Sequence, residues 1–426
     1  NNFISGMKLD NGMVQFAHDF SIATFSKLEK IFAGQINGTS NNIGSGIIGG
    51  KDYVGMSKDS GISFDIGKLP AGHRKDIEIC IYIDENKKTM HDFMDEVERI
   101  RKIDFNKELN DTKAYWRKYV KEHDGLKIKE PQNSYEEKIL NVYKRSILLF
   151  PLLMNEETGG IIASPEVDEE LSQCGRYAYC WPRDAVFITQ ALDILKMNKE
   201  ADKFYSEFCR ITQSKNGMWE QRFYTDGRLA PCWGYQVDET ASVVYGVYNH
   251  YEYTKNEEFL KENLHMCELA ITFLKKYVYD VLENTGKYSV SYDIWEENDR
   301  GIHMYSLASI FSAFDTMKKI YKALGKNVSD FENNRLKEEK INKNIKEIDE
   351  LMLKVKEYIE QNLYDENRKS YVRNTEDRRI DISLLGAVYP FNVFSPKEKK
   401  VLNTVENINL TLRTYTGGYQ RYENDG

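Results

Sequence analysis

A short stretch, SYDIWEEND at residues 291–299, places two adjacent glutamates beside a tryptophan. In a non-helical segment neighbouring side chains point in different directions, so Glu296 can face a pocket while Glu297 faces its flank. A carboxyl group against the Trp295 indole, with Asp293 and Glu297 close by, would be desolvated and would feel like-charge repulsion, and both effects raise a carboxyl pKa. The pattern predicts a proton donor that works near neutral pH. The structural alternative is a solvated acidic turn in front of a helix.

A second stretch, GRYAYCWPRDAVF at residues 175–187, has an arginine beside an aspartate directly before a helical run. Pro182 and Asp184 both suit the first turn of a helix, which is the purely structural interpretation. In the functional interpretation, Arg183 and Asp184 offer fixed donors and acceptors to a polyhydroxylated ligand, and Trp181 supplies an apolar face for the C–H side of a sugar. This stretch alone leaves both interpretations open.

A third stretch, within residues 218–246, has two tryptophans ahead of the sequence QVDET. Trp219 and Trp233 either anchor the core, as large rings often do, or line a cleft, and their clustering with Arg, Gln and Asp favours the cleft. Asp238 and Glu239 either cap the helix that follows or contact a ligand.

Composition limits what these stretches can do. With 426 residues the chain exceeds the usual size of one core, so we expect two domains. A net charge of −8 argues against a nucleic acid partner and favours a neutral or weakly polar ligand. The longest apolar runs fall well short of the roughly 20 residues that span a bilayer, so no membrane partner is expected.

The cysteines bear on metal binding and on localisation. All six lack CxxC or zinc spacing, which predicts reduced thiols and no metal site. Reduced thiols favour a cytoplasmic protein. Because the sequence opens NNFISG without a methionine, we expect a missing N-terminal piece, which leaves secretion open as the alternative.

The hydrophobic period changes along the chain and divides it into three parts. Residues 1–88 alternate in short, glycine-punctuated segments, as in DIEICIYID, and predict an N-terminal antiparallel β-sandwich. Residues 89–130 become charged and helical, which predicts a linker helix. Residues 131–426 contain amphipathic helices joined by loops rich in Trp, Gly, Asp and Arg, which predicts a ring of helical hairpins with function at one end. We expect nine helices there, near 135–154, 184–197, 199–213, 239–254, 256–279, 303–325, 330–364, 381–388 and 395–408.

Together the motifs resemble glycoside hydrolase family 15, the glucoamylase-like enzymes, in its bacterial type. WPRDA, WGYQVDETAS and DIWEENDRGIHMYSLAS follow one another in the family's order, and each precedes a helix. GGYQRYENDG at residues 417–426 resembles a later substrate loop, AYWRKYV at 114–120 the linker helix, and RIDISLLG at 379–386 the segment before the eighth barrel helix. The resemblance implies an α+β multidomain protein in which an antiparallel β-sandwich and a linker helix precede an (α/α)6 helical barrel.

The resemblance also implies an activity and its residues. The activity is inverting release of β-glucose from non-reducing ends of an α-linked gluco-oligosaccharide or polysaccharide, without a metal or organic cofactor. Glu296 matches the general acid that protonates the glycosidic oxygen, and Glu297 the glutamate that binds hydroxyls just beyond the cleaved bond. Arg183 and Asp184 match the pair that holds the distal hydroxyls of the terminal glucose. The other implied substrate-binding residues are Tyr177, Trp181, Trp233, Trp295 and Arg421.

Inversion needs a second carboxylate, roughly 6.5–9.5 Å from the acid, to activate water. In the family this general base follows the RYEND-like segment, whereas the sequence stops at Gly426. We therefore expect the base and the last barrel helices to be absent from this chain, and we assign the base to no residue, Asp425 included. A barrel that is incomplete at its C-terminal end exposes apolar helix faces, which predicts association with a separate C-terminal segment.

Two alternatives to hydrolysis stay open. A related α-glucoside phosphorylase would use phosphate in place of the base and would need a phosphate-binding cluster, which does not stand out. A non-catalytic or regulatory carbohydrate-binding domain would tend to lose the carboxylates, whereas Glu296 and the Arg183–Asp184 pair are present. The preferred linkage, in maltooligosaccharides, isomaltose-type dextrans or trehalose, is left undetermined.

Overall fold

The computed structural model describes most of the chain. The described residues are 4–9, 12–17, 20–26, 31–35, 56–57, 60–64, 66–84, 95–96, 99–100, 102–166, 177–232, 234–287, 290–297, 300–325 and 334–425. The chain divides into two compact units, Asn1–Arg117 and Lys118–Gly426. The division falls within the segment 89–130, in which helix α1 (Phe105–Glu122) lies.

Two antiparallel sheets occur among the described residues of the first unit. Five strands pair in the order β5-β1-β2-β3-β7, and β4 pairs with β6. The strands are β1 (Ile4–Leu9), β2 (Gly12–Ala17), β3 (Phe20–Ser26), β4 (Ile31–Gln35), β5 (Met56–Ser57), β6 (Ser60–Phe64) and β7 (Ile79–Asp84). Along β7 the isoleucines at 79, 81 and 83 share one exposed face, which is the alternation that the sequence indicates. The antiparallel β region is observed, while face-to-face packing as a sandwich stays a prediction.

The second unit is helical, and all nine helical segments predicted after residue 130 occur among the described residues. They are α2 (Ser134–Leu152), α3 (Pro182–Ile194), α4 (Asn198–Lys203) with its continuation through a π-helical turn (Phe204–Cys209) and Arg210–Thr212, α5 (Val237–Thr254), α6 (Glu257–Glu283), α7 (Met304–Gly325), α8 (Asn334–Asn362), a 3-10 helix (Ile382–Ala387) and α9 (Lys399–Thr411). Residues 330–333 of the seventh predicted helix lie outside the described part. A two-stranded hairpin of β8 (Tyr364–Asp365) and β9 (Ser370–Tyr371) was not predicted.

Helix packing follows the apolar stripes. On α7 the predicted stripe is buried at Leu307, Ile310, Phe314 and Met317. Helices α3, α5 and α7 lie side by side, with α6 against α5 and α7 and α8 against α6 and α7. Covered and covering helices therefore alternate along the chain, as in a barrel of α-helical hairpins.

Local signals fix where these helices begin and end. Asn256 caps α6 by accepting hydrogen bonds from the backbone N of Glu258 and of Phe259. The helix before it stops at Lys255, which takes the left-handed conformation, and α6 stops in the same way at Asn284. Helix α3 begins at Pro182, inside WPRDA, and α5 begins at Val237, directly after WGYQ, so motif residues occupy the first turns of both helices.

Candidate active site

Arg183 lies where the first turns of α3 and α5 meet, and one side of its guanidinium is fixed there. Its Nη1 donates to Gln236 Oε1 at 3.0 Å and to Asp238 Oδ2 at 2.7 Å. Its Nη2 lies 3.6 Å from Asp184 Oδ2 and 3.8 Å from Glu296 Oε1, beyond direct hydrogen-bond distance. The arginine is buried and held through Nη1, and Nη2 lies near two carboxylates without hydrogen-bonding to either.

Asp238 and Glu239 form a buried acidic support for that arginine. Both side chains are fully buried, and Glu239 Oε1 lies 3.3 Å from Arg183 Nη1. Glu239 also accepts a hydrogen bond from the backbone N of Arg183. Burial raises the pKa of Glu239 well above its ordinary value; the charge of Arg183 opposes this shift and that of Asp238 adds to it. The sequence left two roles open for these carboxylates, capping the helix or contacting a ligand. In the structure they have a different role, which is to position Arg183.

Glu296 lies at a tight turn, and its carboxyl group is largely withdrawn from water. Its backbone N donates to Asp293 O at 3.0 Å, and its φ of 64° is a left-handed conformation that non-glycine residues rarely adopt. Burial raises the pKa of Glu296 to about 7; the charges of Arg183 and Arg222 oppose the shift, and that of Asp184 adds to it. With its side chain only 21% exposed, this carboxyl group is poised to exchange a proton near neutral pH.

Glu297 joins a second cluster with the loop near residue 421. Its carboxylate accepts hydrogen bonds from Arg421 Nη1 at 2.6 Å and from the hydroxyl of Tyr422. The guanidinium of Arg421 lies 5.7 Å from the centre of the Trp295 ring. Arg421 also donates to Asp425 through Nε at 2.8 Å and Nη2 at 2.7 Å, and this holds the pKa of Asp425 below its ordinary value. Three of the predicted site residues thus meet here, and the Asp425 carboxylate is engaged by an arginine.

A buried ion cluster anchors the loop on both sides of the candidate acid. Arg373 Nη2 donates to Asp293 Oδ2, and its Nε lies 3.5 Å from Asp381 Oδ2. Asp293 Oδ1 accepts from the backbone N of Glu297 at 3.0 Å, and Asp381 Oδ2 accepts from Trp295 Nε1 at 2.9 Å. All three charged side chains are nearly fully buried, and burial raises the pKa of Asp381. Trp295 and Glu297, the residues on either side of the candidate acid, are therefore both held by this cluster.

Aromatic rings and an arginine form the wall beside Arg183. The guanidinium of Arg222 lies 4.8 Å from the centre of the Tyr179 ring and 5.1 Å from that of Trp181. Trp181 is buried, whereas Tyr177 is half-exposed and its carbonyl accepts a hydrogen bond from Ser164 N at 3.2 Å. The structure therefore places Trp181 beneath Arg222 and leaves Tyr177 accessible.

The two tryptophans of the third stretch differ. Trp219 is fully buried and donates from Nε1 to Cys209 O at 3.0 Å, so it anchors the core. Trp233, the predicted stacking ring, lies outside the described residues.

Two further properties of the described residues concern metal binding and membrane spanning. In the described part of the chain, no cluster of three or more His, Cys, Asp or Glu side chains is arranged to hold a metal ion. In the same part, no helix is long and apolar enough to cross a bilayer.

A family comparison decides the class of this domain. The family model of the glycosyl hydrolases family 15 matches residues 137–426, which is more than half of the chain. This chain belongs to glycosyl hydrolases family 15. The match lies within the second unit, and it confirms the family and the glycoside hydrolase domain that the motifs predict. The bacterial type, with a β-sandwich ahead of the barrel, stays a prediction.

Two curated proteins are similar to this family 15 chain. A glycosyl hydrolase of Methanocaldococcus jannaschii is 27% identical over 381 residues, which cover 88% of this chain and 55% of that protein. A trehalase of Mycolicibacterium smegmatis is 25% identical over 173 residues, which cover 37% of this chain and 25% of that protein. The chain thus spans about half the length of the first relative and a quarter of the second.

Solved glycosidase structures share the fold. A wild-type glycosidase superposes with a TM-score of 0.54 at 16% identity, over 68% of this chain and 75% of that chain. A glycosidase variant in complex with glucose gives a TM-score of 0.53 at 17% identity over the same shares. These structures are of the (α/α)6 type, so the likeness shows that the helices follow that fold.

The family 15 motifs locate the main loops but miss the charges that fix them. Gln236 and Asp381 lie inside quoted motifs, WGYQVDETAS and RIDISLLG, so their position beside the site was available from the sequence. Arg222 and Arg373 lie in no family motif that the sequence analysis quoted. No spacing rule connects Arg373 to Asp293, because 80 residues separate them.

Proposed function

We propose that this family 15 protein is an inverting, exo-acting glycoside hydrolase that releases β-glucose from the non-reducing ends of α-glucosides, similar to glucoamylase or glucodextranase. One observation carries the proposal. The Glu296 side chain is only 21% exposed, burial raises its pKa to about 7, and its carboxyl group lies 3.8 Å from the fixed guanidinium of Arg183. A carboxyl group in that state can give its proton to the glycosidic oxygen as the bond breaks.

Substrate recognition is assigned to the groups around that acid. Arg183 is fixed by buried carboxylates, and the side chain of Asp184 is 43% exposed, so the pair can hold two hydroxyls of a terminal glucose. Glu297 and Arg421 form the flank beyond the cleaved bond. A solved glycosidase of the same fold has glucose bound, which supports a glucosyl ligand.

Four aromatic residues complete the proposed substrate wall. Trp181 packs beneath Arg222, Trp295 lies under Arg421, and Tyr177 is accessible. Trp233 is assigned by its motif alone. Rings of this kind provide apolar faces that bury the C–H side of a pyranose.

The second carboxylate of an inverting mechanism is not assigned to any described residue. Asp238 and Glu239 hold Arg183, while Glu297 and Asp425 hold Arg421. Each of these carboxylates already has a positioning contact, whereas a base must be available to water on the opposite face of the sugar.

Proton NMR of the released sugar tests the proposal. The protein of full encoded length is incubated separately with maltotriose, isomaltose and trehalose, and the anomeric signals are followed from the first minutes. The proposal predicts β-glucose as the first product from at least one substrate, and trehalose is included because one relative is a trehalase. With maltotriose, whose leaving group is maltose, first release of α-glucose would contradict inversion. Isomaltose and trehalose also release a second glucose, as the equilibrium anomeric mixture and as α-glucose respectively, so for them the contradicting result is no β-glucose beyond that share. Release that depends on added phosphate would indicate a phosphorylase, and binding without release a carbohydrate-binding domain.

A further inference from the structure

A cavity of about 620 Å³ lies between the later turns of α5 and α7 and the loop at Phe391. On α5 its wall is a stripe at helical spacing, with Tyr245, Tyr248 and Glu252 on one face. On α7 the facing wall has the same helical spacing, with Ser312, Thr316 and Lys319 on one face. Both helices thus turn polar and aromatic side chains toward one space.

This cavity is separate from the candidate active site. Glu239, in the first turn of α5, contacts Arg183, whereas Tyr248 and Glu252 lie further along the same helix. At 1.5 Å per residue the separation is roughly 14–20 Å along the axis. A ligand here would not touch the groups assigned to proton transfer.

Two largely buried residues on the α7 wall carry hydroxyl groups that make no bond to another described residue. Ser312 is 6% exposed and Thr316 is 3% exposed. Neither hydroxyl hydrogen-bonds to any residue within the described part of the chain, whereas the hydroxyl of Ser309 on the same helix donates to Ser306 O. Neither oxygen is among the fully buried, unpartnered polar atoms of the described residues, so both hydroxyls stay open to the cavity that they line. An occupant that donates and accepts hydrogen bonds can pair with them there.

The aromatic groups of the wall provide apolar faces. The ring centres of Tyr248 and Tyr251 are 5.6 Å apart and tilted by 43°. The rings of Tyr245 and Phe391 meet edge to face at 6.4 Å. Ligand cavities typically combine such apolar rings with a few well-placed polar groups, within roughly 300–1,000 Å³.

Charged side chains of both signs surround the cavity in equal number: Glu252, Glu257 and Asp315 against Lys255, Lys319 and Lys322. Lys319 lies 2.7 Å from Asp315, and Lys255 lies 3.1 Å from Glu252. The wall therefore has no excess of either sign to attract a charged ligand. A neutral hydroxyl can instead join a pair, because a carboxylate accepts several hydrogen bonds.

From these observations we propose that the cavity is a second carbohydrate site, which binds a neutral hexopyranose or a short neutral oligosaccharide. The sugar ring lies against the tyrosines and Phe391, and its hydroxyls bond to Ser312 and Thr316. This site goes beyond the proposed hydrolysis and does not depend on it.

Isothermal titration calorimetry with maltose tests the site in the full-length protein carrying Glu296→Gln, so that no sugar is consumed. We expect two binding events. Thr316→Val removes one hydroxyl and keeps the shape, and it should weaken one event about fivefold. Tyr248→Ala should weaken the same event by about tenfold or more. Tyr253→Ala is the matched control, because Tyr253 is exposed on the same helix and does not line the cavity.

The outcomes separate this site from the hydrolase proposal. Unchanged maltose binding in both Thr316→Val and Tyr248→Ala would overturn the cavity site. Tighter binding of cationic glucosamine than of glucose would overturn the neutral ligand class. If the wild-type protein releases no β-glucose but the Tyr248-dependent event persists, the hydrolase proposal fails and the cavity site stands.

Discussion

Replacing Arg373 tests the buried charge cluster that anchors the candidate acid loop. In Arg373→Met the carboxylates of Asp293 and Asp381 remain buried without their cation. Removing one partner of a buried ion pair costs about 3–5 kcal/mol, and we expect a loss in that range in the free energy of unfolding. Arg373→Lys keeps the charge but cannot reach both carboxylates, so the expected loss is about 1.5–3 kcal/mol.

Urea unfolding followed by tryptophan fluorescence measures these losses, with Arg379→Met as the matched control. Arg379 also binds Asp377 and lies over the Tyr422 ring, at 4.6 Å against 4.1 Å for Arg373. Its side chain is 37% exposed, so its replacement should cost less than about 1 kcal/mol. Equal losses for the two methionine variants would refute the reasoning.

The pH dependence of the Arg373→Met deficit gives a second readout. Burial already raises the pKa of Asp381 in the folded state, and the charge of Arg373 opposes that shift, so without the arginine this pKa rises further above its unfolded value of about 4. The penalty is therefore full above the folded pKa and disappears as the pH falls toward 4. A deficit that grows on acidification would contradict this account.

Three further predictions concern other parts of the second unit. Burial alone would lower the pKa of His250, but hydrogen bonds to two aspartates raise it to about 9, so His250→Gln should cost about 3 kcal/mol at pH 6 and little above pH 10 in urea unfolding. A constant loss at both pH values would argue against that assignment. Gly246→Ala would push a methyl group into Tyr205 and should cost about 1–3 kcal/mol, whereas Gly325→Ala meets open space and should leave the unfolding midpoint unchanged. Since the pKa of Glu296 is about 7, hydrolysis should decline as the pH rises through 7, and a rate profile that stays flat to pH 9 would be inconsistent with its role.

The helices could be predicted from the sequence because their apolar residues recur at helical spacing. Leu307, Ile310 and Phe314 recur at three- and four-residue steps, and all are buried. The β8–β9 hairpin has two residues in each strand, too few for alternation to be visible. Contacts between distant residues, such as Arg373 with Asp293, have no local signal at all.

The candidate acid shows the same division between local and distant causes. From the sequence, like charges on Asp293 and Glu297 were expected to help raise the pKa of Glu296. In the structure those two carboxylates are bound by Arg373 and Arg421, and the shift comes mainly from burial. The predicted direction agrees with the structure, but the cause depends on arginines that neighbouring sequence does not identify.

The most direct test of the account is the rate of Glu296→Gln on two substrates of the full-length protein. Maltose needs a proton on its leaving oxygen, whereas α-glucosyl fluoride releases an anion that needs none. The account predicts that hydrolysis of maltose falls by at least about 10²–10⁴-fold, while hydrolysis of the fluoride stays near the wild-type rate. Equal loss on both substrates, or maltose hydrolysis at the wild-type rate, would contradict the assignment of Glu296 as the general acid.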